Sequence, residues 1–223
     1  MNKNKFIEFL LDSEVLRFGS FTTKSGRQTP YFINTGQFRT GEQISQLSSW
    51  YAKVFKDQFE GRIDNLYGPA YKGIPLATAM ALQLSQTHNI DLSFTFNRKE
   101  AKDHGEGGVL VGDTYIEPRK VLIVEDVITA GTSVKETLEI LKNIDNVEIV
   151  GLIISVDRKE ALEDGRSALQ TVQEDYGIEV SSIINIEDII AFVQDVKNRK
   201  KYDIAESQVQ QMLEYRSKYA AQN

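Results

Sequence analysis

The 223-residue sequence contains no cysteine and only two histidines. Without cysteine there can be no disulfide framework, thiol nucleophile or zinc ribbon, and this composition suits a reducing compartment. No apolar run approaches the roughly 20 residues that cross a bilayer. Near the N-terminus, Glu8 and Asp12 interrupt the apolar stretch, which leaves it too short for the core of a signal peptide. We therefore expect a soluble, cytoplasmic protein with no membrane partner.

Positive charge is also scarce. The chain has 26 Lys and Arg against 32 Asp and Glu, a net charge of -6, and a pI near 5.1. This balance is opposite to that of a general nucleic-acid binder, so no nucleic-acid partner is expected. An anionic ligand would have to meet local positive charge. With 41% hydrophobic residues, 15 Gly and 4 Pro, the composition is that of a folded globular chain.

Short apolar runs alternate with helical periodicity after residue 63, which is typical of a parallel sheet with helices on its faces. The runs cover residues 65–67, 92–96, 121–124, 149–156 and 180–184. Helical spacing predicts helices around residues 6–10 and 44–55, from near Pro75, and over 134–141, 186–196 and 203–219. We expect one α/β domain over residues 1–223, with a mostly parallel core sheet at about 63–185 and an N-terminal hood at about 1–40 that the C-terminal helices join.

The segment VLIVEDVITAGTSVKE, residues 121–136, carries the most chemical information. Its apolar strand stops at Glu125 and Asp126, and a loop of small residues then opens a helix. Such a loop can cradle a phosphate at the helix N-terminus, and Gly131 lets the backbone come close. Because carboxylates repel phosphate, the acids better suit sugar hydroxyls or a magnesium-linked group. The alternative is that the acids only end a strand and cap a helix.

Two other segments are rich in cations and glycine. Residues 98–108 combine Arg98, Lys99, Lys102 and His104 with three glycines, a pattern that suits a mobile lid over a diphosphate leaving group. The alternative is a solvated surface loop of mixed charge. Residues 68–73, GPAYKG, place a lysine between a short strand and a helix, where it can face the diphosphate. The alternative is a simple Gly-Pro turn with a surface lysine.

The sixteen-residue motif resembles the donor-binding signature of the type I phosphoribosyltransferases. Residues 18–36, 67–75, 96–108 and 155–160 are similar to segments of the bacterial orotate phosphoribosyltransferases within that family. Glu125 stands where many members have Asp, which keeps the charge. The resemblance implies the type I fold and a Mg²⁺-dependent transfer of the phosphoribosyl group of 5-phospho-α-D-ribose 1-diphosphate to orotate. The products would be orotidine 5′-phosphate and diphosphate, in de novo pyrimidine synthesis.

The resemblance also implies roles for individual residues. Catalysis is assigned to Lys102, His104 and Asp126. The phosphoribosyl diphosphate site is assigned to Lys24, Tyr71, Lys72, Arg98, Lys99, Lys102, His104, Glu125, Asp126, Val127, Ile128, Thr129, Ala130, Gly131, Thr132 and Ser133. The orotate site is assigned to Lys24, Phe32, Ile33, Thr129 and Arg158. Position 33 is Ile where related enzymes often carry an aromatic residue, so only a backbone contact is expected there.

Arg158 is the expected partner of the orotate carboxylate because a guanidinium can form paired hydrogen bonds. The resemblance implies that Mg²⁺ is held mainly by the diphosphate and water, with no direct protein ligand. It also implies a homodimer, in which the 98–108 loop of one subunit closes over the site of its neighbour.

Two other functions remain as alternatives. The first is a phosphoribosyltransferase for a purine or uracil, because the donor loop is shared across bases and only the hood and Arg158 discriminate. The second is a regulator that senses the donor and binds RNA or DNA elsewhere. The net charge of -6 and the intact 98–108 segment argue against the regulator.

Overall fold

The computed structural model describes residues 1–23, 26–102, 108–128 and 132–221, and it describes side chains throughout these ranges except at residues 100–102, 108, 132 and 133. The strands are β1 (Leu16–Thr22), β2 (Gln28–Ile33), β3 (Asn65–Tyr67), β4 (Ser93–Lys102), β5 (Gly108–Gly112), β6 (Arg119–Val124), β7 (Val147–Asp157) and β8 (Glu179–Asn185). The helices are α1 (Lys3–Asp12), α2 (Gly41–Gln58), α3 (Gly73–His88), α4 (Thr132–Lys142), α5 (Ala168–Tyr176), α6 (Ile186–Gln194), α7 (Val196–Lys201) and α8 (Glu206–Tyr219).

The main sheet has the strand order β5-β4-β3-β6-β7-β8. β4, β3, β6, β7 and β8 run parallel, and β5 pairs antiparallel with β4 at one edge. β1 and β2 form a separate antiparallel hairpin. The predicted fold class, a mostly parallel sheet flanked by helices, is confirmed.

Both faces of the sheet are covered, as the unbroken apolar run at residues 121–124 requires. Along β6, Leu122 and Val124 belong to one buried cluster, with α1, α2, α3, α6 and α8, whereas Val121 and Ile123 belong to a second cluster with α4 and α5. Successive residues of a strand point to opposite faces, so one short run supplies both cores. None of the helices in the described part of the chain combines the length and apolar character that crossing a membrane requires.

Side-chain caps fix where several of the helices begin. Thr40 forms a capping box with Gln43 at the start of α2, and Ser167 does the same with Gln170 at the start of α5. In each box the hydroxyl accepts a hydrogen bond from the third helical N–H, and the glutamine side chain accepts one from the N-cap N–H. These caps satisfy backbone groups that the first helical turn leaves without partners.

The structure differs from the sequence predictions in four elements. β4 extends to Lys102. The predicted strand ended at residue 96, and residues 98–108 were predicted to form a loop. The reason is tertiary: β5, which was not predicted, pairs antiparallel with β4, and Lys102 lies opposite Gly108. α5 was missed because it buries only three side chains. α7 is a short helix that ends in the basic residues Arg199, Lys200 and Lys201, and no apolar periodicity signals it.

Candidate active site

Three segments that carry predicted site residues follow parallel strands. The carboxyl ends of these strands lie along one side of the sheet, which is called the carboxyl edge below. β3 leads into residues 68–73, β6 leads into Glu125 and Asp126, and β7 leads into Arg158. Ligands of open α/β sheets bind at the carboxyl ends of the strands. The parallel topology therefore brings segments that are far apart in sequence to one candidate site.

The backbone that carries the two acids is held by neighbouring elements. The hydroxyl of Tyr51 in α2 donates a hydrogen bond of 2.7 Å to the carbonyl oxygen of Glu125. The backbone N–H and the hydroxyl of Ser155 in β7 both donate to the carbonyl oxygen of Asp126, at 2.8 and 2.6 Å. Glu125 and Asp126 are buried. These hydrogen bonds hold the backbone that positions the two carboxylates.

The carboxylate of Asp126 forms a polar cluster with Lys72 and Thr35. The Lys72 ammonium donates to Oδ2 of Asp126 at 2.9 Å and to the Thr35 hydroxyl at 3.2 Å, and the Thr35 hydroxyl donates to the same Oδ2. The Lys72 side chain is 56% exposed, against 11% for Asp126. Lys72 can therefore neutralise the buried acid while its ammonium group remains accessible to a ligand.

The two acids have opposite pKa shifts. Burial and the adjacent charge of Asp126 raise the pKa of Glu125 above the ordinary range of a glutamate. Burial also acts to raise the pKa of Asp126, but the hydrogen bond from Thr35 and the positive charge of Lys72 outweigh it, so the pKa of Asp126 is lowered. Different environments thus separate the roles of neighbouring carboxyl groups. Asp126 carries the negative charge, and Glu125 holds a proton more readily.

Close backbone approaches explain the glycines in the segment after β3. A Cβ at Gly68 would lie 2.2 Å from the carbonyl oxygen of Gly73, and one at Gly73 would lie 2.5 Å from Cδ of Pro69. The N–H of Ala70 donates to Oδ1 of Asn97 in β4 at 3.0 Å. The segment is therefore packed tightly between the start of α3 and β4.

Tyr71 and Lys99 lie together beside this segment. The Lys99 ammonium is 4.9 Å from the centroid of the Tyr71 ring, and Tyr71 is 68% exposed. Arg98 and Lys99 both belong to β4, the strand next to β3. With Lys72, these residues give the carboxyl edge a cationic surface although the net charge of the chain is negative.

Several predicted site residues cannot be placed. Lys24, His104, Thr129, Ala130 and Gly131 lie outside the described residues. The backbones of Lys102, Thr132 and Ser133 are described, and their side chains are not. α4 begins at Thr132, which agrees with the helix that the motif predicts after its loop. Before that loop, Val127 forms a β-bridge with Val156, and Ile128 is buried.

Arg158 is buried, and its guanidinium centre lies 4.9 Å from the centroid of the Tyr31 ring. Phe32, which the resemblance assigned to orotate, stacks on Phe21 with the ring centroids 5.4 Å apart. Because neighbouring residues of a strand point to opposite faces, Tyr31, rather than Phe32, contacts Arg158. Ile33 is partly buried and packs against the core.

The available oxygen donors suit a metal ion that the substrate largely coordinates. Within the described residues, no group of three or more His, Asp or Glu side chains is arranged to hold a metal. Glu125 and Asp126 are adjacent hard oxygen donors, and Oδ2 of Asp126 already accepts hydrogen bonds from Lys72 and Thr35. Mg²⁺ commonly combines one or two carboxylates with substrate phosphates and water. These residues fit that pattern.

The sequence patterns did not identify Thr35, Ser155 or Tyr51 as residues of the site. Thr35 and Ser155 lie within segments 18–36 and 155–160, which were noted only as blocks. Tyr51 was predicted as part of the apolar face of a helix. Its bond to Glu125 depends on how α2 packs against the sheet, which no local pattern encodes.

Comparisons with known proteins show the family to which the chain belongs. Residues 38–200 match the family model of the phosphoribosyl transferase domain. The orotate phosphoribosyltransferase of Lachnoclostridium phytofermentans is 49% identical over 188 residues, 84% of each chain. That of Clostridium acetobutylicum is 45% identical over 217 residues, 97% of each chain. The crystal structure of the Francisella tularensis orotate phosphoribosyltransferase is similar with a TM-score of 0.81 and 40% identity, covering 96% of this chain and 95% of that one. The chain therefore belongs to the orotate phosphoribosyltransferases, a group within the phosphoribosyl transferase domain family.

Proposed function

We propose that this protein transfers the phosphoribosyl group of 5-phospho-α-D-ribose 1-diphosphate to orotate, giving orotidine 5′-phosphate and diphosphate in pyrimidine synthesis. The observation that carries the proposal is the presence of Glu125, Asp126, Lys72 and Arg158 at one edge of the sheet. The acids suit ribose hydroxyl groups, the lysine suits the diphosphate, and the arginine suits the carboxylate of orotate.

In this mechanism Asp126 binds the ribose. Its lowered pKa keeps it ionised, so it can accept hydrogen bonds from two sugar hydroxyls. The segment from Val127 leads to the N-terminus of α4, and the first backbone N–H groups of a helix suit a phosphate. Contacts to the ribose hydroxyls and to the 5′-phosphate would together fix the position of the anomeric carbon.

The transfer breaks the bond between the anomeric carbon and the diphosphate oxygen and forms a bond from that carbon to a ring nitrogen of orotate. That nitrogen loses its proton, which the leaving diphosphate or water takes up. Negative charge grows on the leaving diphosphate and must be stabilised. Lys72, Arg98 and Lys99 supply positive charge, and Lys102 and His104 donate hydrogen bonds or a proton to the leaving group. Mg²⁺, when bound, neutralises diphosphate charge.

Orotate binding rests on Arg158. A buried guanidinium is always charged and can form two parallel hydrogen bonds with a carboxylate. Lys24, Phe32, Ile33 and Thr129 are proposed to complete the orotate site. A base without a carboxylate could not form these two hydrogen bonds with Arg158.

We also propose a cytoplasmic homodimer in which residues 98–108 of one subunit complete the site of the other. This arrangement can be tested by mixing Lys102→Ala protein with Asp126→Asn protein. If the sites are shared, the mixture recovers activity that each variant lacks, because one site in the mixed dimer receives both native residues. No recovery after subunit exchange would contradict the shared site.

The reaction is tested by adding orotate to the purified protein with the donor and Mg²⁺ and following the loss of orotate absorbance. Uracil, adenine and hypoxanthine are run in parallel. Turnover of orotate alone is expected. Turnover of another base instead would overturn the orotate site, and turnover of none would overturn the proposed reaction.

The Arg158→Ala variant tests the carboxylate contact. It should raise the orotate KM strongly while leaving measurable turnover at high orotate, and donor affinity should stay near that of the wild type. Arg62→Ala is the control, because Arg62 forms an exposed ion pair with Glu179 at 2.8 Å, away from the carboxyl edge. Arg62→Ala should retain wild-type kinetics.

A further inference from the structure

Glu160 holds the guanidinium of Arg158 along one side. Nε and Nη2 of Arg158 both donate to Oε1 of Glu160, at 2.9 and 2.6 Å. The two side chains are 9% and 19% exposed. A charged pair with this little exposure loses more when one partner is removed than an exposed ion pair does. Glu160 therefore constrains the orientation of Arg158.

This contact leaves the end of the guanidinium available. A guanidinium has five N–H groups, one on Nε and two on each terminal nitrogen. Glu160 uses the edge formed by Nε and Nη2. Among the described residues, none accepts a hydrogen bond from Nη1 of Arg158. The edge formed by Nη1 and Nη2 can thus meet a carboxylate with two parallel bonds.

Tyr31 fixes Glu160 in turn. Its hydroxyl donates to the same Oε1 at 3.0 Å, and its ring lies under the Arg158 guanidinium. Burial, together with the charge of Glu160, raises the pKa of Tyr31, so the hydroxyl remains a donor at neutral pH. Tyr31 therefore supports both members of the Arg158–Glu160 pair.

The C-terminal segment holds the turn on which Glu160 sits. The N–H of Ala161 donates to the carbonyl oxygen of Tyr219 at 2.9 Å, and the N–H of Ala221 donates to that of Lys159 at 3.0 Å. A guanidinium nitrogen of Arg216 donates to the same Lys159 carbonyl at 2.7 Å. The end of α8 thus restrains the residues that flank Glu160.

We propose that Glu160 is a positioning residue for orotate: supported by Tyr31 and the end of α8, it turns the Nη1–Nη2 edge of Arg158 toward the orotate carboxylate. The proposal rests on the proposed function, and it assigns a role to a residue outside the predicted site. Glu160 itself does not touch the substrate, since its carboxylate would repel that of orotate. Its effect is on the orientation of Arg158.

Removing Glu160 has two opposing effects on orotate binding, one electrostatic and one geometric. The lost negative charge increases the attraction between Arg158 and orotate, whereas the lost hydrogen bonds free the guanidinium to rotate. Misplacement of a binding group by about 1 Å can cost about 100-fold in rate, so the loss of orientation dominates in Glu160→Ala. Glu160→Gln separates the two effects, because its amide oxygen can still accept from Arg158 and Tyr31 while the charge is gone.

The experiment is a double-mutant cycle with Arg158→Ala, Glu160→Ala and the double variant, measured for kcat and for the KM of both substrates. Glu160→Ala should raise the orotate KM about 10- to 100-fold with little change in the donor KM, and should have no further effect once Arg158 is absent. Glu160→Gln should recover most of the loss. Tyr31→Phe, which keeps the buried ring, should raise the orotate KM about two- to tenfold, and it provides the test if Glu160→Ala does not fold.

Glu179→Ala is the matched control, since it removes a glutamate from its ion pair with Arg62. Glu179 lies at the start of β8, at the end of the sheet away from the carboxyl ends of the parallel strands. It should leave both KM values unchanged. Equal losses from Glu160→Ala with and without Arg158, or a parallel rise in the donor KM, would overturn the positioning role alone. A wild-type protein that does not consume orotate would overturn the proposed function and this inference together.

Discussion

Two buried tyrosines differ in whether their hydroxyl groups have a partner, and this difference gives a sharp prediction. Tyr51 in α2 is 1% exposed and donates a 2.7 Å hydrogen bond to the carbonyl oxygen of Glu125. Tyr67 at the end of β3 is 0% exposed, and its hydroxyl has no hydrogen-bond partner in the described part of the chain. Tyr→Phe removes the same oxygen atom at both positions, so each variant is the control for the other.

The magnitudes follow from the partners that remain. In Tyr51→Phe the carbonyl of Glu125 loses its buried donor, which costs about 1–3 kcal/mol. In Tyr67→Phe the oxygen removed was already unpaired, so the change should be neutral or stabilising. Burial raises the pKa of both tyrosines, so neither hydroxyl is ionised at neutral pH and no charge is lost. Tyr51→Phe should therefore be less stable than Tyr67→Phe by at least about 1 kcal/mol.

Urea unfolding measures the difference. Trp50, the one tryptophan of the sequence, is buried next to Tyr51 and supplies a fluorescence signal. The free energies of unfolding come from linear extrapolation, and the slopes should be the same for both variants. Orotate turnover should also fall in Tyr51→Phe, because Tyr51 holds the backbone of Glu125, next to the proposed catalytic residue Asp126. A Tyr51→Phe protein within about 0.5 kcal/mol of the wild type, or an equal loss in Tyr67→Phe, would refute the reasoning.

Three further predictions concern the acids and the loop after β3. The raised pKa of Glu125 means that the folded protein binds this proton more tightly than the unfolded chain does. The free energy of unfolding of the wild type should therefore fall as the pH rises above 4.5, the ordinary pKa of a glutamate. Glu125→Gln should reduce this fall in urea unfolding between about pH 5 and about pH 9, and an undiminished fall would contradict it. Lys72→Met removes a positive charge that helps to lower the pKa of Asp126. The acid limb of the profile of kcat/KM against pH should therefore move to higher pH. An unmoved limb would show that a group other than Asp126 titrates there. Gly68→Ala places a Cβ 2.2 Å from a carbonyl oxygen. It should cost more than about 2 kcal/mol in thermal or urea unfolding, whereas Gly41→Ala, with no atom near its Cβ, should not.

Much of the fold could be predicted because its patterns are local. The run at residues 121–124 is apolar at every position, and that at 149–156 is interrupted only by Gly151 and Ser155, because β6 and β7 are buried on both faces; such runs are typical of parallel strands. The spacing of apolar residues in α2 likewise follows one buried helix face. The antiparallel β5 escaped prediction, since its five residues gain their partner only from β4.

The sequence by itself determined which chemical groups adjoin at the candidate site, because residues 121–136 join a buried strand, two acids and a small-residue loop in one continuous stretch. It also determined that a phosphate ligand must find its positive charge locally. Only the tertiary structure decided which side chains meet. The contacts of Thr35 and Lys72 with Asp126 span 91 and 54 positions, and that between Tyr31 and Glu160 spans 129. Such pairs form when strands and helices pack, and local sequence periodicity does not encode them.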